Sequence, residues 1–213
     1  MQTLESIDHA IRVVGINGSL RDGSYTRLAV NLALQGAEEV GVQTQLIDLR
    51  EYDLIFCSGK VGDDAPPGVL RLRHEVSAAH GIFLGTPEYH GSFSGVLKKA
   101  LDLMGFREFE GKIVGLVGVS GGKMGAVHAL DGLRTVGRAL HAWVTPEQVS
   151  IPQAWRLFDE VGSLKDAALE ERVKEVGRQV ARFAFLHHSH QTREFLDAWE
   201  TAPENPGGNS HAN

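Results

Sequence analysis

Ile11-Arg12-Val13-Val14-Gly15-Ile16-Asn17-Gly18-Ser19-Leu20-Arg21-Asp22-Gly23-Ser24-Tyr25-Thr26 holds two periodicities and the break between them. Ile11 to Ile16 is short, apolar and β-branched, and it stops at the turn residues Asn17-Gly18-Ser19, which predicts a strand. Beyond Ser24 the spacing changes: Leu28, Leu32 and Gln35-Gly36 follow a helical repeat, with Ser24 as N-cap. A strand that feeds a helix through one polar loop is the first half of a βαβ unit.

The rest of the chain repeats that pattern. A second strand is expected over Thr44–Leu49, then a polar connection through Ser58-Gly59, Asp63-Asp64 and Pro66-Pro67. Leu72 and Val76 share one face of a helix expected from Val69 to Ala79. The third strand, Gly81-Ile82-Phe83-Leu84-Gly85, is stopped by Thr86-Pro87, and a helix rich in Leu, Lys and Ala runs from Ser94 or Gly95 to Met104. Ile113–Val119 is apolar nearly throughout, as suits a strand covered on both faces. It ends in Ser120-Gly121-Gly122 and feeds a helix from Gly125 to Leu140. A fifth strand falls within Trp143–Ile151, and the last strong helix runs from Leu169 to His187. The alternation predicts an α/β fold: a five-stranded parallel sheet with right-handed crossovers and helices on both faces. No repeat or internal boundary interrupts it. Residues 1–200 read as one domain, and 201–213, with Pro203, Pro206, Gly207 and Gly208, as a disordered tail.

Composition narrows the function classes. A chain of 213 residues can bury one sizeable core. Its formal charge of −6 argues against a nucleic-acid partner, because phosphate backbones need a positive face. No stretch approaches the roughly 20 apolar residues of a membrane helix. Met1 to Gly15 includes Glu5 and Asp8 and lacks a continuous apolar h-region, so no signal peptide is expected. Cys57 is the sole cysteine, which excludes an intramolecular disulfide and makes a cytoplasmic location the expectation.

In a doubly wound sheet, ligands bind outside the carboxyl ends of the strands. Three loops follow strand ends and fall on that edge: Gly18–Thr26, Pro87–Ser94 and Ser120–Gly122. The first opens a helix, whose free N–H groups and positive dipole end suit a phosphate. Ser19, Ser24 and Thr26 add hydroxyls there, and Arg21 adds a charge. Neither Gly-x-x-x-x-Gly-Lys-Ser/Thr nor Gly-x-Gly-x-x-Gly follows the strand, so a monophosphate fits better than a triphosphate or dinucleotide. A plain N-cap with turn residues explains the same loop equally simply. The second loop, Pro87-Glu88-Tyr89-His90-Gly91-Ser92-Phe93-Ser94, clusters polar and aromatic groups suited to a flat heterocycle. Glu88 reads either as a ligand contact, a solvated charge or a helix cap, and His90 as an acid/base group or a structural loop histidine. Ser120-Gly121-Gly122 lets backbone approach a ligand or simply makes a tight turn.

Together these segments resemble the NADPH-dependent FMN reductase family, the quinone, azo-dye and chromate reductases of flavodoxin-like fold. The resemblance rests on Gly18-Ser19-Leu20-Arg21 with Ser24 and Thr26, on Pro87-Glu88-Tyr89-His90-Gly91-Ser92 with Gly95-Val96-Leu97-Lys98-Lys99-Ala100-Leu101-Asp102, and on Ser120-Gly121-Gly122. It extends from Ile11 to Phe185, and its second segment is the specific one. It implies a flavodoxin-like doubly wound sheet of strand order 2-1-3-4-5 and FMN bound non-covalently. By that likeness Ser19, Arg21, Ser24, Tyr25 and Thr26 hold the phosphate, Pro87, Glu88, Tyr89, His90 and Gly91 line the isoalloxazine, and Ser120, Gly121 and Gly122 close its other edge. It also implies a homodimer or homotetramer with flavin sites near the subunit interface. Three positions depart from the common pattern: Thr26 and His90 stand where Asn is frequent, and Ser94 replaces a Pro, which is expected to loosen the loop.

The implied activity is a ping-pong transfer of electrons from NADPH or NADH, through FMN, to a small acceptor such as a quinone, an azo or nitro compound, a metal oxyanion or a flavin. It requires no catalytic side chain; Tyr89 and His90 are the candidates for donating a proton to a quinone-like acceptor. The rivals are an electron-carrying flavodoxin that docks to proteins, a flavin-free binding module, and an enzyme that releases FMN as product. Elsewhere Cys57 reads as a spectator thiol, and His187, His188 and His190 as helix-end histidines instead of a metal site. Trp143 and Trp155 are expected in core or interface packing, and Trp199 in the tail.

Overall fold

The computed structural model of the protein describes residues 11–59, 62 and 64–201. β1 (Arg12–Asn17) leads to α1 (Tyr25–Glu38), and β2 (Gln43–Asp48) is followed by a 3-10 turn, Leu49–Glu51. After α2 (Pro67–Ser77) come β3 (Gly81–Tyr89), the short β4 (Ser92–Phe93), α3 (Gly95–Asp102) and α4 (Phe106–Phe109). The second half holds β5 (Ile113–Val119), α5 (Val127–Ala139), β6 (Trp143–Ile151), α6 (Ala154–Leu157), α7 (Ala167–His188) and α8 (His190–Glu200). The parallel strands lie in the order β2-β1-β3-β5-β6, which is the expected 2-1-3-4-5 once β4 is set aside.

Alternation along the strands divides the core between two faces. Val14, Ile16, Ile82, Leu84, Val114 and Leu116 point toward α2, α3 and α5 and join Leu72, Leu97, Leu130 and Leu133. Val13, Phe83, Ile113 and Val117 point the other way, onto Ala29, Val30 and Ala33 of α1 and Val173, Val176 and Val180 of α7. β5 is buried at all seven positions, hence its unbroken apolar sequence. On the second face α1 and α7 approach so closely that a Cβ on Gly36 would lie 2.1 Å from the Lys174 carbonyl oxygen, and one on Gly177 2.0 Å from that of Ala33. Small residues at this crossing allow the two backbones to meet.

The structure departs from expectation at several points. β3 does not stop at Gly85: it passes through Thr86 and Pro87, which still pair with Gly118 and Val119, and ends at Tyr89. Pro87 is tolerated because it sits on the last rung of that ladder, where one missing N–H costs little. The expected loop Pro87–Ser94 is therefore mostly a hairpin, Glu88 and Tyr89 of β3 pairing with Phe93 and Ser92 of β4. Ser94 does not loosen the segment, because it is buried and hydrogen-bonded on three sides. Trp199 lies in α8, a helix that starts afresh after Ser189, whose hydroxyl caps it. Trp143 and Trp155 are both exposed, not core. The tail beyond Thr201 lies outside the described residues.

Candidate active site

The first loop is built on the end of β1. Asn17 is fully buried and folds back on the chain, its Oδ1 accepting from Ser19 N at 3.2 Å and its Nδ2 donating to the Ser19 carbonyl at 3.0 Å. Ser19 Oγ takes the Arg21 N–H at 3.4 Å. Ser24 caps α1, its Oγ accepting from Arg27 N at 3.2 Å and its carbonyl from Leu28 N at 3.2 Å. The N–H groups of Tyr25 and Thr26, the first two residues of α1, have no intrahelical acceptor and stand at the positive end of a helix of 14 residues. Ser19, Ser24 and Thr26 are buried around them, while the Arg21 side chain is exposed. The Tyr25 ring is stacked on Phe158 with centroids 5.5 Å apart, so this residue offers the loop its backbone.

The second loop meets the first directly. Gly18 N donates to the Gly85 carbonyl at 2.9 Å, and Ser94 Oγ donates to the Gly18 carbonyl at 2.6 Å. Ser94 also accepts from Leu97 N at 3.1 Å as the N-cap of α3, and its own N–H donates to Thr86 Oγ1 at 3.0 Å. The hairpin tip is the pair His90-Gly91, with φ of +52° and +75°. Positive φ at both central residues of a two-residue loop defines a type I′ turn, which favours Asn-Gly. His tolerates that conformation better than most residues, which explains why it replaces Asn here. Glu88 turns out to be a helix cap: its Oε2 accepts from Ala129 N at 3.0 Å, in the first turn of α5. Tyr89 and His90 are exposed beside it.

The third loop follows Val119, the register partner of Pro87, so it lies beside the second. Ser120 Oγ accepts from Gly122 N at 3.0 Å. The Ser120 carbonyl takes Ala154 N and that of Gly122 takes Gln153 N, each at 3.0 Å, which ties the turn to the start of α6. Trp155 Nε1 donates to the Gly121 carbonyl at 3.3 Å. All thirteen residues expected at a cofactor thus fall on one edge of the sheet, in three loops that are hydrogen-bonded or paired to one another.

Beneath the first loop is a charge network that sequence reading did not single out. Asp48, the last residue of β2, is the register partner of Asn17 and is almost wholly buried. Its Oδ1 accepts from Asn17 Nδ2 at 3.3 Å, and Arg50 grips it through Nε at 3.0 and 3.1 Å and Nη2 at 2.6 Å. Arg27 Nε stands 3.2 Å from Oδ2. Burial alone would raise the Asp48 carboxyl, but its hydrogen bonds from Arg50 outweigh this and hold it below the usual carboxylate range. No motif marks a lone Asp at a strand end. Only the register beside Asn17 reveals it.

The donor set matches a flavin mononucleotide. Buried hydroxyls and two N–H groups without an intrahelical acceptor at a helix N-terminus suit a phosphate. At Gly121 an added Cβ would meet nothing within 4 Å, leaving open backbone beside the hairpin for a ring. A cavity of about 270 Å³, lined by Arg12, Gln43, His74 and Glu75 among others, lies at the amino ends of β1 and β2 and is no part of this site. The sequence model of one family, described as NADPH-dependent FMN reductase, matches residues 11–156, more than half the chain. The chain belongs to that family.

As a member of the NADPH-dependent FMN reductases, it is an oxidoreductase of FMN and reduced nicotinamide nucleotides. It is 34% identical over 174 residues to the NAD(P)H-dependent FMN reductase PA1204 of Pseudomonas aeruginosa, covering 78% of this chain and 90% of that one. It is 30% identical over 186 residues to the NADPH-dependent FMN reductase ArsH of Shigella flexneri, covering 85% of this chain and 71% of the relative. Among solved structures, the flavoenzyme NAD(P)H:acceptor oxidoreductase FerB of Paracoccus denitrificans superimposes with a TM-score of 0.65 at 24% identity, covering 84% of this chain and 99% of that one. An archaeal flavodoxin superimposes with a TM-score of 0.58 at 15% identity, over 82% and 99% of the two chains. These two likenesses are of fold.

Proposed function

We propose that this reductase binds FMN at the three-loop edge and passes electrons from NADPH or NADH to a small organic acceptor of the quinone or azo class. One observation carries the reading: Ser19, Ser24 and the N–H groups of Tyr25 and Thr26, which have no intrahelical acceptor, gather at the start of α1, in a loop tied through the Ser94–Gly18 hydrogen bond to the segment that follows the Tyr89–Ser92 hairpin. When bound, the flavin supplies the redox chemistry, accepting hydride from the nicotinamide and reducing the acceptor. The protein's part is to hold and orient. In this reading Ser19, Arg21, Ser24 and the backbone of Tyr25 and Thr26 bind the phosphate. Pro87, Tyr89, His90 and Gly91 flank the ring on one side, with Ser120, Gly121 and Gly122 on the other. Glu88 contributes its backbone, its carboxylate being engaged on α5. Tyr89 and His90, exposed at the tip, are placed to meet an acceptor, and the two substrates take turns in a ping-pong order. The azo assignment draws on relatives such as the FMN-dependent NADPH-azoreductase of Staphylococcus aureus, 31% identical over 174 residues. We further take the enzyme to be a cytoplasmic homodimer or homotetramer.

The test is an anaerobic spectrum of the protein with FMN, followed by NADPH and then a quinone or an azo dye. Bleaching of bound flavin and its recovery on adding acceptor support the reading. Flavin that binds but stays oxidised with both nicotinamides restores the carrier reading, and absence of binding refutes the site. Parallel double-reciprocal plots are expected for the ping-pong order, and intersecting ones would remove it.

A further inference from the structure

We propose that Asp48 is the positioning residue of the phosphate loop, a buried anion that holds Asn17, Arg27 and Arg50 in the arrangement from which the loop takes its shape. The inference rests on the first loop being the FMN phosphate site. Asp48 touches that loop from three directions. Through Asn17 Nδ2, at 3.3 Å, it fixes the side chain that clamps both the N–H and the carbonyl of Ser19. Arg27, 3.2 Å away, belongs to the first turn of α1, where its N–H is the one capped by Ser24. Arg50 reaches Asp22, in the middle of the loop, with Nη1 at 3.3 Å while Nε and Nη2 remain on Asp48. Start, middle and end of the loop are therefore tied to one carboxylate.

The arrangement also decides where the arginines are. With Asp48 ionised, Nε and Nη2 of Arg50 are held beneath the loop and Nη1 is on Asp22, so the phosphate is left to the hydroxyls, the backbone N–H groups and Arg21. Replacing Asp48 by Asn keeps the shape and removes the charge that collects the two guanidinium groups. The loop then has to be ordered by the ligand, and ordering is subtracted from affinity. Only a ligand that uses the loop experiences this loss, which gives the proposal its distinguishing readout: FMN and riboflavin differ by the phosphate alone.

The experiment measures the dissociation constants of both flavins, by quenching of flavin fluorescence, for the wild-type protein, Asp48→Asn and Arg50→Gln. Unfolding temperatures are recorded without ligand. For Asp48→Asn the FMN constant is expected to rise about tenfold, equivalent to about 1.4 kcal/mol, with riboflavin changing less than about twofold. Arg50→Gln, at a partly exposed residue whose loss leaves Asp48 with Arg27 and Asn17, is expected to give a smaller change in the same direction. If Asp48→Asn does not fold, Arg50→Gln decides by the same ratio. Equal weakening of both flavins would reduce Asp48 to a general support of the fold, and no change in either would remove its role altogether. A wild-type protein that binds FMN no more tightly than riboflavin would instead refute the phosphate site on which the proposal depends.

Discussion

Ser94 joins three segments: it accepts from Leu97 N, donates to the Gly18 carbonyl and gives its N–H to Thr86. Ser94→Ala leaves the Gly18 carbonyl and the α3 N-terminus without their partner in a buried place, a loss of about 1–3 kcal/mol. The unfolding temperature is expected to fall by several degrees, and an unchanged value in a thermal melt would show that water replaces the hydroxyl. Lys112 is a second buried polar residue, its Nζ donating to the Val76 and Ser77 carbonyls at the end of α2, each at 2.7 Å. Burial pushes this ammonium down to about 8 from its ordinary 10.5, against the opposing charge of Glu108. Because the folded value is the lower one, the unfolded chain holds a proton between these limits that the native protein has released. Stability assigned to Lys112 therefore rises with pH from about 8 to 10.5, and the cost of burying the charge is fully present below that window. Urea midpoints of the wild type and Lys112→Met, followed from pH 7 to 10.5, are expected to shift in the wild type's favour as pH rises; a constant gap would contradict the assignment. His90 was visible in the sequence as a departure from a pattern. Its left-handed φ, which gives the reason, was not.

The contact of α1 with α7 brings two backbones together, and its glycines permit it. A Cβ on Gly177 would press within 2.0 Å of the Ala33 carbonyl oxygen, a backbone atom that no rotamer change can move. Gly177→Ala must therefore separate the helices, at about 1–3 kcal/mol, despite the better helix propensity of Ala. A lower urea midpoint with an unchanged slope is the expected result, and an unaffected midpoint would mean that α7 shifts freely. Strands and long helices were legible because their apolar residues recur at periods of 2 or 3.6 over several turns. The β3–β4 hairpin was not. Thr86-Pro87 reads locally as a stop, and its continuation depends on β5 lying alongside as a partner. The same holds for α8, whose start is set by the Ser189 cap and whose exposed Trp199 reads from sequence as part of a tail.

The parallel strands bring together on one edge three loops that are separated by roughly 70 and 30 residues in the chain. A ligand that binds only this assembled edge stabilises the folded state, by about 2.7 kcal/mol at a hundredfold excess over its dissociation constant. Saturating FMN is therefore expected to raise the unfolding temperature by several degrees, and riboflavin by less. Equal protection by both would argue against a phosphate site at α1. The strand–loop–helix alternation, the parallel sheet and the three loops at its carboxyl edge were readable from residue pattern, because each depends on neighbours in the chain or on spacing along it; the strand order came through the family likeness. The role of Glu88 as a cap on α5, the anchoring of Gly18 by Ser94, and the gathering of Asn17, Arg27 and Arg50 about Asp48 were decided in three dimensions. Each of those contacts joins different elements, and a hydrogen bond or ion pair requires a distance that sequence spacing does not contain.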